Sequence, residues 1–157
     1  MFASYGQDPA VTRYLTWQCH TDRSEAREAI KRFLTRWESE TEFCWMIFDR
    51  RTEELIGSIA ARREESGFNL GFLLAQAWWG RGLMPEAIGA VTHWAFSNPF
   101  VSRVWAVCDL ENRASARTLE KSGFTKEGVL RDYSLHPNIS AQPRDCYSYA
   151  MTRAANA

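Results

Sequence analysis

Ala26, Ile30, Phe33, Leu34 and Trp37 recur at intervals of three and four, the spacing that gathers side chains on one face of a helix. Ser24 stands where an N-cap belongs, so the pattern predicts an amphipathic helix over residues 24–39. The period then shortens. FCWMIFD (residues 43–49) is apolar and aromatic-rich, RRTEE is polar, and LIGSIAA (residues 55–61) is apolar again, which together predict a hairpin. After a turn at Ser66 and Gly67, FNLGFLLA (residues 68–75) predicts a third strand.

Helical spacing returns beyond WWGRGLMPEA (residues 78–87), at Met84, Ala87, Ile88, Val91 and Ala95, with Pro85 and Glu86 suited to a first turn. RVWAVCD (residues 103–109) predicts another strand. Asn112 then caps a short helix through Ala116, Leu119 and Glu120, and Gly123 takes the left-handed position that ends it. Residues 124–131 and 144–152 predict two closing strands; in the second, Cys146, Ser148 and Ala150 alternate with Tyr147, Tyr149 and Met151. Strands first, then strand and helix in turn, predict an α+β, mixed α/β sheet protein. No repeat, low-complexity tract or linker divides the 157 residues, so one domain is expected.

Composition narrows the function classes. Nineteen basic residues balance nineteen acidic ones, which disfavours a nucleic-acid partner held by phosphate neutralisation. No apolar run approaches the roughly 18 residues of a membrane span. MFASYGQDPAV has neither the basic nor the apolar region of a signal peptide, so a cytoplasmic location is expected. Cys19, Cys44, Cys108 and Cys146 show no CxxC spacing, and His20, His93 and His136 do not complete a ligand set. No metal site is expected, and the thiols are read as small buried hydrophobes.

The chemistry starts at WGRGLM. Between a strand and a helix it offers backbone N–H groups at a helix N-terminus, where anions are favoured, and Arg81 adds a cation. It is neither a Walker loop, since no Gly-Lys-Ser/Thr follows, nor GxGxxG, since Pro85 replaces the third glycine. Alone, it is most simply a turn. ENRASARTLEKSGF (residues 111–124) supplies a second strand–loop–helix unit, and two such units on one sheet predict a ligand cleft where strands diverge.

DPAVTRYLTW, LIGSI, LGFLLAQAWWGRGLMPEAIGAVTHWAF, NRASARTLEKSGFTKEGVLRD and RDCYSYAM, in this order over nearly the whole chain, resemble the GCN5-related N-acetyltransferases (GNAT). The nearer likeness is to the Rim-type branch, which acetylates protein N-terminal amines. The resemblance implies one N-acetyltransferase domain over residues 1–157, with a central mixed, mostly antiparallel sheet splayed at an acetyl-CoA site and flanked by helices. It implies that the backbone of Phe72, Leu73 and Leu74 bonds the pantetheine amides. The amides around Arg81, Gly82, Leu83 and Met84 would hold the pyrophosphate, with Gly80 allowing close approach. Asn112 and Ser115 would reach the pantetheine and the sulfur. The implied reaction is direct attack of a neutral amine on the thioester of acetyl-CoA. A backbone N–H near Leu74 would stabilise the oxyanion, and Ser115 would assist the departing thiolate.

Three departures from the family pattern bear on the acceptor. Asn69 stands where many relatives carry a carboxylate, and a neutral amide is no base. At pH 7 roughly one lysine amine in a few thousand is neutral, against about a tenth or more of α-amines, so an α-amine acceptor is expected. Asp109, Glu111 and His136 are the other candidates for a water-mediated base. Ala77 replaces a common Gln or Arg, with Gln76 one place early. DPA begins at Asp8, leaving no room for the family's initial strand; residues 43–49 would then form an open sheet edge, which a homodimer would cover. The acceptor pocket is expected from Trp17, Trp37, Asn69, Tyr133, His136 and Tyr147, with ordinary packing the alternative for each. A small-molecule acetyltransferase acting on a polyamine, amino acid or aminoglycoside, and a noncatalytic acyl-CoA-binding module, remain the competing functions.

Overall fold

The computed structural model describes residues 1–153. Its strands are β1 (Glu42–Phe48), β2 (Leu55–Glu64), β3 (Gly67–Leu74), β4 (Arg103–Asp109), β5 (Thr125–Ser134) and β6 (Arg144–Thr152), and its helices α1 (Pro9–Thr12), α2 (Arg23–Glu38), α3 (Leu83–Ser97) and α4 (Arg113–Lys121). The strands form one sheet in the order β1-β2-β3-β4-β6-β5. Every neighbouring pair is antiparallel except β3 and β4, which are parallel. This is the mixed, mostly antiparallel sheet that the family resemblance implies.

Strand alternation sorts the side chains onto two faces. Phe68 lies opposite Val104 and Leu70 opposite Ala106, and these buried residues meet Met84, Ile88, Val91 and Ala95 of α3 and Leu119 of α4. Ile88 and Leu119 are wholly buried at the centre of that layer. On the other face, residues Phe2–Gly6 form a single π-helical turn that packs against β2. Tyr5, 1% exposed, sets its hydroxyl 3.6 Å from the Met46 sulfur, and burial pushes its phenol up to about 12. Among the described residues no strand precedes β1, which lies at the edge of the sheet.

Helix α2 differs from expectation in two respects. Its N-cap is Asp22, not Ser24: the Asp22 carboxylate accepts the Ser24 N–H at 2.6 Å, and Glu25 reaches back to the Asp22 N–H at 3.1 Å. This reciprocal capping box satisfies two orphan donors, and Ser24 has no matching bond to offer. The expected apolar face is also only partly covered. Ala26 and Ala29 are buried, but Ile30, Leu34 and Trp37 are 40%, 60% and 41% exposed. The helix lies against an edge strand, so only part of its apolar arc has sheet beneath it.

Candidate functional site

Strands β3 and β4 pair only over residues 67–70 and 103–106. Beyond Leu70 they separate, while β2 keeps pairing with β3 as far as Leu74. The Ala75 N–H donates to the Ile56 carbonyl at 2.7 Å, and a methyl on Gly57 would fall 2.5 Å from the Leu73 carbonyl oxygen. Leu73 therefore turns its backbone toward β2. By alternation, Phe72 and Leu74 turn theirs into the gap. One of those groups has a partner, since the Leu74 carbonyl accepts the Trp79 indole N–H at 2.6 Å.

A cavity of about 680 Å³ opens at this gap. Phe72, Leu73, Leu74, Gly80, Arg81, Gly82, Leu83, Met84, Asn112 and Ser115 all border it, so every residue that the sequence singled out for the acetyl donor meets in one place. The loop is shaped by its glycines: Gly80 and Gly82 hold φ of 74° and 77°, left-handed values that residues with a side chain rarely adopt. Gly82 caps α3 without any side-chain bond, which leaves first-turn N–H groups facing the cavity. Arg81 stacks over the Trp78 ring at 4.7 Å, a contact that holds the cation on the cavity wall.

The other wall is the start of α4. The Asn112 side chain accepts the Ser115 N–H at 3.2 Å, so its capping role is real. Asp109 sets the turn that leads there. Its backbone carbonyl accepts the Asn112 N–H and its carboxylate accepts the Glu111 N–H, each at 2.9 Å. Arg144 grips both carboxylate oxygens at 2.5 and 3.2 Å and also reaches Glu111 at 3.1 Å. Burial opposes ionisation of Asp109, but the Arg144 guanidinium and the Glu111 N–H outweigh it and hold the carboxyl below the usual range. Both oxygens of Asp109 are engaged, so it is a structural anchor rather than a free base. Of the three base candidates, only Glu111 borders the cavity. Burial pushes the Cys108 thiol up to about 11, eased by the neighbouring Ser115 hydroxyl, so it stays protonated at neutral pH.

The six acceptor candidates are not gathered in the same way, and none borders the cavity. Trp37 packs edge-on to Phe43 and Trp45 at 5.2 and 5.3 Å, beside the sheet edge, and packing accounts for it. Tyr147 lies opposite Cys108 on the face of α3 and α4, with the Lys126 ammonium 3.7 Å over its ring. Asn69 is on the opposite face, in register with Arg62 and Trp105, and its Nδ2 is buried without a partner. Burial raises the Tyr133 phenol above its ordinary value, and the Glu64 carboxylate nearby adds to the effect. His136 is 4% exposed, its Nε2 3.8 Å from the Cys146 sulfur and 3.7 Å from Asp109. Trp17 leans on His20, ring centroids 4.7 Å apart.

Sequence reasoning missed part of the cavity wall. Ala10, Val11, Arg13, Tyr14 and Leu15 line it. Asn138, between β5 and β6, staples the chain just after α1: its Nδ2 donates to the Thr12 and Trp17 carbonyls at 2.8 Å each, and its Oδ1 accepts the Cys19 N–H at 3.0 Å. No sequence pattern signals that long-range staple. Arg113, Arg117 and Lys121 also line the cavity, and their four-residue spacing could have been read as one helix face.

A cavity between parting strands, with a glycine loop on one side and a capped helix on the other, matches a family known from sequence. A model of the acetyltransferase (GNAT) domain matches residues 1–125. The chain belongs to the GNAT acetyltransferases. A GNAT relative, the uncharacterized N-acetyltransferase YoaA of Bacillus subtilis (strain 168), is 33% identical over 156 residues, covering 98% of this chain and 87% of that protein. The ribosomal protein uS5-alanine N-acetyltransferase of Escherichia coli (strain K12) is 33% identical over 114 residues, 70% of this chain and 57% of its own length. RimL, a ribosomal L7/L12 α-N-protein acetyltransferase solved with coenzyme A, shares the fold with a TM-score of 0.84 at 21% identity, over 99% of this chain and 88% of its own. The protein is thus a GNAT N-acetyltransferase, and acetyl-CoA is its acetyl donor. The left-handed glycines, the uncapped start of α3 and the free edge of β3 fit such a donor.

Proposed function

We propose that this GNAT protein acetylates a primary amine that is the α-amine of a protein N-terminus. The observation that carries the donor half is the cavity at the parting of β3 and β4, with Phe72 and Leu74 open to it on one side and Asn112 and Ser115 on the other. In this reading the pantetheine lies along β3 and the diphosphate rests on the amides from Arg81 to Met84. The Leu74 N–H stabilises the oxyanion formed as the amine nitrogen attacks the thioester carbonyl. As the carbon–sulfur bond breaks, the Ser115 hydroxyl donates a hydrogen bond to the sulfur. A thiol of pKa about 8.5 is already a fair leaving group, so a weak donor suffices there.

The acceptor half rests on the missing base. Asn69 is neutral, Asp109 is locked by Arg144, and Glu111 is an exposed carboxylate at the cavity rim, 61% accessible and shared with Arg144. Such a site suits an amine that is already partly deprotonated at neutral pH, which an α-amine is and a lysine is not. The likeness to the uS5-alanine N-acetyltransferase supports the same class. Asn69 and Tyr133, on the sheet face away from α3 and α4, are the residues proposed to meet the acceptor.

Coenzyme A release with acetyl-CoA tests this against peptides beginning with Ala or Ser, lysine, polyamines and aminoglycosides. We expect peptide N-termini to be turned over at least about tenfold faster than the other amines. Rapid polyamine or aminoglycoside acetylation with inert peptides overturns the acceptor assignment. Donor binding with no release across the whole panel leaves only an acyl-CoA-binding module. Ser115→Ala is expected to lower kcat about tenfold, the worth of one hydrogen bond to the leaving sulfur, with KM for acetyl-CoA changed less than about threefold.

A further inference from the structure

The cavity wall that follows α1 is made of chain that cannot hold its own position. Helix α1 is a turn of four residues, far short of the length at which a helix is stable alone. Val11 and Thr12 are buried and fix the turn itself, with Val11 packed on Tyr5 and Ala75. Beyond them, residues 13–20 are neither helix nor strand, and none of them is buried. The Leu15 N–H donates to the Thr12 carbonyl at 3.0 Å, a local bond that does not place the segment on the sheet. Yet Arg13, Tyr14 and Leu15 line the cavity.

A side chain from far along the sequence supplies what is missing. Asn138, in the β5–β6 connection, donates through Nδ2 to the Thr12 and Trp17 carbonyls at 2.8 Å each and accepts the Cys19 N–H on Oδ1 at 3.0 Å. Both donors of the amide and its oxygen are thus committed to one segment. The connection is firm where Asn138 stands. His136 is buried, and its carbonyl accepts the Ile139 and Ser140 N–H groups at 2.9 and 3.0 Å. The connection ends at Arg144, which holds Asp109 and Glu111 where the α4 wall begins. Two walls of the cavity therefore hang on one connection, the first through Asn138 and the second through Arg144.

We infer that Asn138 is a positioning residue for the acetyl donor: resting on the donor site proposed above, it sets the wall from Arg13 to Leu15 before acetyl-CoA arrives. It touches none of the reacting atoms and acts through the backbone it bonds. With the wall ordered in advance, no part of the binding free energy is consumed in ordering it. Without Asn138 the donor must fix the wall as it binds, so affinity falls. Once the donor is bound the site is the same, so the chemical step is spared.

Asn138→Asp is nearly isosteric and tests the bonds themselves. The carboxylate still accepts the Cys19 N–H, but toward Thr12 and Trp17 it sets oxygen against oxygen. Calorimetric titration of the full chain with coenzyme A should show affinity about tenfold weaker, as for two hydrogen bonds of ordinary net worth. KM for acetyl-CoA should rise in step, with kcat within about threefold of the native value. If Asn138→Asp does not fold, Asn138→Ala removes the same bonds without adding charge and is read in the same way. Arg153→Met is the control, because Arg153 is a similar staple outside the cavity lining, donating to the Phe96, Asn98 and Val101 carbonyls at 2.6, 2.8 and 3.1 Å. It should lower the melting temperature and leave coenzyme A affinity within about twofold. The inference is overturned if the Asn138 variant binds coenzyme A as tightly as the native protein. It is also overturned if Asn138 and Arg153 variants weaken binding alike, which makes Asn138 a general stabiliser. A native protein that binds coenzyme A but acetylates no peptide N-terminus loses the acceptor assignment alone, since the titration needs no acceptor. Failure of the native protein to bind coenzyme A removes the donor site and this role together.

Discussion

Arg144→Met is expected to lower the free energy of unfolding at pH 7 by about 3 kcal/mol, the low end of the cost of stripping a buried ion of its partner. The low end applies because the Arg144 side chain is about a quarter exposed, whereas that of Asp109 is fully buried. Without the guanidinium, the Asp109 carboxylate keeps the Glu111 N–H at 2.9 Å and the His136 ring 3.7 Å away, and stays in a site where water cannot replace the lost bonds. Methionine retains much of the stem's apolar contact, so the loss reports charge rather than bulk. Urea unfolding followed by fluorescence from the seven tryptophans measures it.

The pH dependence separates charge from packing. In the native protein the folded-state carboxyl of Asp109 lies below its ordinary value. Its stabilising contribution is therefore complete above the unfolded pKa of about 3.9 and is lost as pH falls through the lower folded value. In Arg144→Met, burial acts without opposition from the guanidinium and raises the carboxyl instead. The difference between variant and native protein should then be largest near pH 7 and shrink as pH is lowered toward 4, because protonation relieves the unpaired charge. A deficit that stays constant over that range would assign the effect to packing and overturn the electrostatic account. The same variant should impair donor binding, since Asp109 sets the turn from which Asn112 and Ser115 begin.

What the sequence made legible follows the range of the forces involved. Asn112 as a cap, Gly123 with φ of 85°, and the loop glycines are local backbone requirements, and each stands where it was expected. Asp22 was readable by the same logic, because Asp-x-x-Glu is a capping-box spacing, but Ser24 is also a good capping residue and drew the assignment. The exposure of Ile30 and Leu34 was not readable, since it depends on α2 lying at the edge of the sheet rather than over it. The same divide runs through the site. The donor wall is made of contiguous motifs, whereas the wall from Ala10 to Leu15 is held in place by Asn138, more than a hundred residues away in the chain. Trp37 shows the limit from the other side: the sequence offered both a substrate contact and ordinary packing for it, and it lies in an aromatic cluster with Phe43 and Trp45.

Gly82→Val is expected to weaken coenzyme A binding about a hundredfold while lowering the melting temperature by only a few degrees. The two effects have different origins. A side chain at φ of 77° costs about 1–2 kcal/mol, a penalty on folding that is present whether or not ligand is bound. A Cβ at Gly82 otherwise meets nothing within 4 Å, so the fold has room for it. Room is what a bound diphosphate would need, because the anion must approach the first-turn amides of α3 closely. Gly67 provides the contrast: there an added Cβ would fall 1.7 Å from the Arg103 carbonyl oxygen, at the point where β3 and β4 meet. Gly67→Ala should therefore cost stability first, and binding only through it. Calorimetric titration with coenzyme A beside a thermal melt distinguishes the two glycines. Should Gly82→Val bind coenzyme A within about twofold of the native protein, the loop is a turn and not a cradle.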